Sequence, residues 1–231
     1  MFKRCFKKYM KKKILIIAAH PDDEIIGCGG TLLKHIFNKD DVFVVYASDG
    51  ESSRINGKSK ISKRKKQAIE VAKNAKIKKF YFLNYPDNQM DKINLLKISK
   101  SIQTIVDKVE PDIVYTHHYN DLNIDHKITF EATMVACRPV RKKNITEIYS
   151  FEILSSSEWH GRSCLNFKPN VFVNINDFFQ KKISLMKIYN NEVMHSPHPR
   201  SIRSITSKAA SRGSEVNVLY AEAFELIRII K

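Results

Sequence analysis

The chain has 231 residues, a formal net charge of +16 and a hydrophobic content of 43%. This length suits one α/β domain with a full core, and no apolar run approaches the roughly 20 residues that span a bilayer. The start of the chain lacks the apolar core of a secretory signal. The four cysteines, whose spacing is neither paired nor zinc-like, are Cys5, Cys28, Cys137 and Cys164. We therefore expect reduced thiols and a cytoplasmic protein.

A lysine-rich tail, residues 1–12, opens the chain. Residues 13–231 contain no internal repeat and no Pro/Gly/Ser-rich linker, so we expect them to form a single domain. A basic surface attracts polyanions such as nucleic acid, anionic lipid or phosphorylated substrates. The tail is placed to contact the inner membrane surface, although it lacks the apolar face of an amphipathic anchor. A generic lysine-rich surface is the alternative.

The first predicted strand, residues 13–19, runs directly into one imidazole and three carboxylates. These are His20, Asp22, Asp23 and Glu24. Open α/β sheets place their chemistry just beyond the carboxyl ends of strands. Imidazole and carboxylate are typical ligands of hydrolytic zinc sites, and a spare carboxylate beside the metal can act as general base. The alternative is that the acids only cap the helix predicted over 25–38. The glycines within 27–30 favour a site, because glycine lets backbone approach closely.

Strands and helices then alternate along the chain. Strands are predicted over 41–48 and 79–83, and helices over 60–75 and 93–109. The loop 49–56 leaves a strand end and is expected to line the rim of the site. This alternation favours a Rossmann-like α/β fold, with a mostly parallel sheet and helices on both faces.

A second polar cluster follows the short strand predicted over 112–116 and precedes a helix predicted over 127–138. It contains His117, His118, Asp121, Asn123, Asp125 and His126. Two strand-end clusters can converge on one crevice, where His20, Asp23 and His126 would form a three-ligand zinc site with an open fourth position. Asp125 is a candidate to orient a ligand histidine from behind. The alternative is a turn-forming loop with solvated histidines.

The last third departs from the alternation and is expected to form an extra C-terminal strand and loop region. Strands are predicted over 146–154 and 170–175, a helix over 177–191, and a strand or helix over 220–230. Between them lie polar segments that include Trp159. His198 and Arg200 lie in a stiff, proline-flanked loop that suits a lid or clamp, with a structural turn as the alternative.

These motifs resemble those of the PIG-L/LmbE-like family of metal-dependent de-N-acetylases, whose members remove acetyl groups from N-acetylglucosamine-type sugars. The resemblance rests on the signature Ala19-His20-Pro21-Asp22-Asp23-Glu24, on Gly29-Gly30-Thr31 and on Asp125-His126. Looser similarity in the later polar segments extends it over roughly residues 13–230. The chain is most similar to bacterial members in amino-sugar or surface-polysaccharide pathways.

The resemblance implies roles for individual residues. His20, Asp23 and His126 match the family's metal ligands, usually for zinc, although iron(II) or another divalent metal uses similar ligands. Asp22 matches the general base. The products would be acetate and a free amino sugar.

One position departs from the family pattern. Asn123 stands where the family often has a histidine that helps to stabilise the oxyanion. An amide N–H still donates to an oxyanion but cannot carry a proton. We therefore expect His117, His118 or His198 to supply the acid.

Five side chains are candidates for substrate binding. They are Arg54, His118, Trp159, Arg200 and Arg212. The arginines suit a phosphate or hydroxyl and the tryptophan suits the apolar face of a pyranose, while a surface or structural role is the alternative for each. The expected substrate is an amino sugar that is free, nucleotide-linked or lipid-phosphate-linked. The oligomeric state stays open.

Two rival functions share parts of this evidence. A related amidase acting on a thiol-sugar conjugate would use the same metal site. A basic nucleic-acid-binding protein would use the lysine runs, but these contain few aromatic residues and no recognisable nucleic-acid motif, so no specific nucleic acid is expected.

Overall fold

The computed structural model describes residues 10–140, 144–161 and 166–231. Most of the predicted basic tail, together with Cys5 and Cys164, lies outside the described residues. The strands are β1 (Lys13–Ala18), β2 (Asp41–Ser48), β3 (Lys79–Tyr85), β4 (Ile113–His117), β5 (Glu147–Phe151), β6 (Val171–Asn174) and β7 (Ala221–Ile229). The helices are α1 (Asp23–Phe37), α2 (Gly57–Ala75), α3 (Leu95–Val109), α4 (Ile124–Ala136), α5 (Phe179–Met186) and α6 (Ile202–Ser214).

The strands form one mixed sheet in the order β3-β2-β1-β4-β5-β7-β6. The pairs β1–β2, β1–β4, β2–β3 and β4–β5 are parallel, and β7 runs antiparallel to both β5 and β6. The mostly parallel sheet predicted from the sequence is confirmed. Because β1 lies between β2 and β4, loops from three neighbouring parallel strands meet at one edge of the sheet.

Helices cover both faces of the sheet, as the alternation predicts. On β1, Ile14 and Ile16 pack with α1, α2 and α5, whereas Leu15 and Ile17 pack with α3 and α4. Successive side chains of a strand point to opposite faces, so a strand buried on both faces is apolar throughout. No helix in the described residues is long and apolar enough to cross a membrane.

Helix α1 is broken at Cys28, whose φ of −147° and ψ of 24° are not helical. The break frees backbone N–H groups, and those of Gly30 and Thr31 donate to the Glu222 carboxylate at 2.8 and 2.7 Å. Lys182 pairs with the same carboxylate at 2.6 Å. All of these groups are buried. A charged residue of β7 thus caps the second half of the helix that carries the first motif.

The glycines of α1 have a different role from the one expected. A Cβ on Gly27 would collide with the Phe151 ring, and one on Gly30 would lie 2.7 Å from Ile175. They let the helix approach β5 and the residue after β6, so they serve packing in the core rather than backbone approach to a ligand.

Two predictions for the last third are corrected. The helix predicted over 177–191 ends at Met186, because the backbone then tightens into turns that bring Tyr189 into the core. Helix α6 was not predicted. Ser201 caps it by accepting a hydrogen bond from the N–H of Ser204 at 3.1 Å. Beyond α6, the segment predicted as strand or helix is the antiparallel strand β7.

Candidate metal centre and active site

Three predicted ligands converge at the carboxyl edge of the sheet. His20 follows β1, Asp23 begins α1, and His126 lies in the first turn of α4. His20 Nδ1 lies 3.1 Å from Asp23 Oδ2, His126 Nε2 lies 3.4 Å from the same oxygen, and the two nitrogens are 3.3 Å apart. All three side chains are buried. Residues about 100 positions apart in the sequence therefore present three donor atoms to one point.

This donor set fits a metal ion. Nitrogen and oxygen ligands of tetrahedral zinc lie at about 2.0–2.1 Å, which places neighbouring ligand atoms about 3.3 Å apart. The measured separations of 3.1–3.4 Å match that spacing. Among the residues that the structure describes, none hydrogen-bonds the other carboxylate oxygen, the buried Asp23 Oδ1, which is costly unless a ligand satisfies it.

Carboxylates face the outer nitrogens of both histidines. His20 Nε2 lies 3.1 Å from Asp125 and 3.2 Å from Asp87, and His126 Nδ1 lies 3.0 Å from Asp121. An N–H donated to these acids leaves His20 Nδ1 and His126 Nε2 as free lone pairs directed at the centre. Asp87 was not singled out in the sequence, although it follows the end of β3 as His20 follows β1.

The charges around the centre favour a cation. Burial alone would lower the pKa of His126, but Asp23 and Asp121 raise it to about 9. Burial opposes ionisation of Asp23, but the neighbouring His126 holds the pKa of its carboxyl well below the usual range. Because a metal binds neutral imidazole, metal binding must displace protons from this cluster.

His117 serves as a neutral support. Its Nε2 accepts a hydrogen bond from the Ala19 backbone N–H at 2.8 Å, and its ring stacks on His126 with centroids 4.0 Å apart. Burial and the neighbouring His126 hold the pKa of His117 well below its ordinary value. The sequence offered His117 as a proton donor, but its placement between Ala19 and His126 is that of a packing residue.

Asp22 lies at the N-cap of α1 with a φ of +129°, a backbone conformation that residues other than glycine rarely adopt. Its backbone N–H donates to Glu24 at 2.9 Å, and its Oδ2 accepts from Arg200 at 3.1 Å. Burial raises the pKa of Asp22 to about 6 against the opposing effect of Arg200 and Arg64. Glu24 is in turn fixed by hydroxyls of Tyr189 at 2.7 Å and Tyr46 at 3.0 Å.

Glu192 joins three arginines behind Asp22. It accepts two hydrogen bonds from Arg54, at 2.7 and 3.0 Å, and one from Arg200 at 3.0 Å. It also pairs with the buried Arg64. The sequence indicated Arg54 and Arg200 as site residues but missed Arg64 and Glu192, which belong to no recognisable motif.

Five loops close a ring around this centre, which we call the rim: residues 49–56, 86–89, 118–123, 154–160 and 190–201. Each loop is hydrogen-bonded to the next, and the last is hydrogen-bonded to the first. The links are Asp87 N to Ser52 Oγ at 2.9 Å, Asn123 Nδ2 to Asn88 Oδ1 at 3.1 Å, Ser157 Oγ to Asp121 Oδ2 at 2.5 Å, Arg200 Nε to Ser155 Oγ at 2.7 Å and Arg54 Nη1 to Glu192 Oε1 at 2.7 Å.

Asn123, His198 and Trp159 are among the predicted site residues that lie on the rim. Asn123 caps α4 by accepting from the Asp125 N–H at 2.8 Å. His198 Nδ1 accepts from the Arg200 N–H at 3.0 Å, so in the neutral ring the proton lies on Nε2. The Trp159 ring meets the His198 ring edge to face, with centroids 5.9 Å apart.

Two predicted residues are held by other partners. His118 lies with its Nε2 3.4 Å from Glu225 and its ring edge to face with Phe167. Arg212 donates to both oxygens of Glu152, at 2.8 and 3.0 Å. Neither contact involves the metal-ligand candidates or Asp22.

The fold is a mostly parallel α/β sheet, and two imidazoles and a carboxylate at its carboxyl edge form a donor set that can hold a metal ion. The model of the GlcNAc-PI de-N-acetylase (PIG-L) family matches residues 15–137, more than half of the chain and all three ligand candidates. The chain belongs to this family. It is a hydrolytic N-deacetylase.

Individual relatives agree with the family. The chain is 28% identical over 183 residues to the uncharacterized deacetylase YaiS of Escherichia coli K12, covering 77% of this chain and 90% of YaiS. It is 24% identical over 197 residues to a diacetylchitobiose deacetylase of Thermococcus kodakarensis, covering 78% and 70%. The solved N,N'-diacetylchitobiose deacetylase of Pyrococcus horikoshii superposes with a TM-score of 0.76 at 23% identity, covering 94% and 84%.

Proposed function

We propose that the chain removes the N-acetyl group of an N-acetylglucosamine-type amino sugar, with a zinc ion held by His20, Asp23 and His126 and with Asp22 as general base. The proposal rests on the convergence of three ligand atoms within 3.4 Å of one another. The carboxylate of Asp22, which is paired with Arg200, follows His20 and precedes Asp23 in the same motif. The named substrate of the diacetylchitobiose deacetylases supports an N-acetylated sugar.

The metal would lower the pKa of a water molecule towards 7 and polarise the acetamide carbonyl. The surrounding residues would orient the ligands and transfer the proton. Asp87, Asp121 and Asp125 hold the imidazole tautomers that leave one lone pair of each histidine for the metal. Asp22 takes the proton from the attacking water. Since Arg200 occupies Oδ2 of Asp22, we assign the proton to Oδ1.

The leaving amine must gain a proton, and the oxyanion needs a donor. Asp22 returns to the leaving amine the proton that it took from the water. The Nε2–H of neutral His198, whose Nδ1 already accepts from the Arg200 N–H, can donate a hydrogen bond to the oxyanion. Asn123 Nδ2 donates to Asn88, so its use as an oxyanion donor requires that this bond be exchanged for one to substrate.

The sugar would lie within the rim. Trp159 offers an apolar face for a pyranose, and the Arg54 and Arg200 guanidiniums line the wall nearest Asp22. A net charge of +16 favours a substrate that carries phosphate, either nucleotide-linked or lipid-linked.

The test is acetate release from N-acetylated amino sugars offered free, nucleotide-linked and lipid-phosphate-linked, with an N-acylated thiol-sugar conjugate as a further arm. We expect the zinc-loaded protein to release acetate from one sugar class and Asp22→Asn protein to release none. Turnover only of the thiol-sugar conjugate would replace the proposed substrate, and equal turnover by Asp22→Asn would remove Asp22 as the base.

A further inference from the structure

Four large apolar side chains stand exposed on the rim. Ile55 is 90% exposed, Leu122 51%, Trp159 52% and Met194 47%. Each comes from a different rim loop, and those loops are hydrogen-bonded into one ring. Apolar side chains scattered singly over a surface need no explanation, but several on one ring of connected loops indicate an interaction surface.

In and directly after the same loops, most acidic side chains are buried and most exposed charged side chains are basic. All acids of the loops except Glu158 are buried: Asp49, Glu51, Asp87, Asp121 and Glu192. The exposed charges in or directly after the loops are mainly basic: Arg54, Lys58, Lys60, Lys92 and Arg203, against Asp91 and Glu158. The exposed surface of the rim and its flanking residues therefore combines apolar side chains with positive charge.

We propose that the rim docks onto the surface of an anionic lipid bilayer. Exposed aliphatic and tryptophan side chains partition into the boundary between headgroups and acyl chains, while Lys and Arg beside them are attracted to anionic lipid. A nucleic acid would meet the same positive charge but would leave Ile55 and Met194 in water. Docking would place the metal centre over the membrane, and it does not depend on the proposed deacetylation.

The chain contains one tryptophan, and it lies on the rim. Its fluorescence therefore reports on this surface alone. We expect the emission of Trp159 to shift to shorter wavelength when vesicles of phosphatidylcholine and phosphatidylglycerol are added, and to be quenched by lipids brominated on their acyl chains. Vesicles of phosphatidylcholine alone should give a much smaller shift, and salt should reverse the binding.

Variants locate the contact. Ile55→Ser or Met194→Ser should weaken partitioning about tenfold each, and Lys58→Gln about fivefold. Phe37→Ser is the matched control, because Phe37 is 74% exposed but ends α1 at the opposite edge of the sheet. That variant should bind as the unaltered protein does.

Four results would overturn the proposal. One is vesicle binding without quenching of Trp159 by brominated lipid, since another part of the chain would then be the anchor. A second is equal weakening by Phe37→Ser. A third is an emission shift with glycerol phosphate alone, which would indicate a headgroup in the active site. The fourth is a shift that follows protein concentration without lipid, which would indicate a second copy of the chain on the rim.

Discussion

Replacing Asp121 by asparagine should weaken zinc binding while leaving the three ligands in place. The buried Asp121 carboxylate faces His126 Nδ1 at 3.0 Å and is held by the Asn123 N–H at 2.9 Å and the Ser157 hydroxyl at 2.5 Å. Asparagine keeps the shape and one acceptor oxygen but removes the charge that favours the correct His126 tautomer. Losing such a partner costs roughly 10–100-fold in metal affinity, or about 1.4–2.7 kcal/mol.

The assay is a zinc titration in competition with a chromophoric chelator, accompanied by thermal unfolding of the metal-free protein. Asp40→Asn is the matched control, because Asp40 faces the half-buried His35 Nδ1 at 2.8 Å in a pair away from the metal centre. We expect Asp121→Asn to lower zinc affinity and Asp40→Asn to leave it unchanged. Unchanged affinity in Asp121→Asn, or equal losses in both variants, would refute the assigned orientation of His126.

Three further substitutions test the packing and the ion pairs that support the site. Gly30→Ala should destabilise the fold by about 1–3 kcal/mol in urea unfolding, since its Cβ would lie 2.7 Å from Ile175; a more stable variant would contradict this packing. Lys182→Met leaves the buried Glu222 carboxylate without its cation and should cost about 3–5 kcal/mol, so a loss below about 1 kcal/mol would argue against the buried pair. Burial opposes ionisation of Glu152, but the basic side chains it pairs with lower its pKa. Its contribution to stability is therefore present at neutral pH and is lost as pH falls below the ordinary carboxyl range. The stability gap between the unaltered protein and Glu152→Gln should close in acid, and a gap independent of pH would contradict the sign.

The sequence predicted the sheet because its strands are short apolar runs that end in polar clusters. For example, β1 is buried on both faces from Ile14 to Ala18 and is apolar over that whole stretch. The prediction failed at α6, whose serine, threonine and glycine residues have low helix propensity. The signal there was weak but present, as Ile205, Ala209 and Gly213 recur every four residues and are buried.

The convergence of the three ligand candidates was predictable, because the parallel neighbours β1 and β4 must deliver their loops to the same edge. The residues behind Asp22 were not predictable from the sequence. Arg64 lies in a lysine-rich helix that resembles an exposed surface, yet it is buried against Glu51 and Glu192. A charge that is buried because of partners distant in the sequence leaves no local pattern, so only the tertiary structure reveals it.

In the proposed mechanism, the metal ligands and the general base have separate roles. The decisive experiment measures bound zinc and acetate release on the same preparations of Asp22→Asn and His126→Ala. We expect Asp22→Asn to retain stoichiometric zinc and lose nearly all turnover, and His126→Ala to lose both. An active Asp22→Asn protein, or a His126→Ala protein that still binds zinc tightly, would contradict this mechanism.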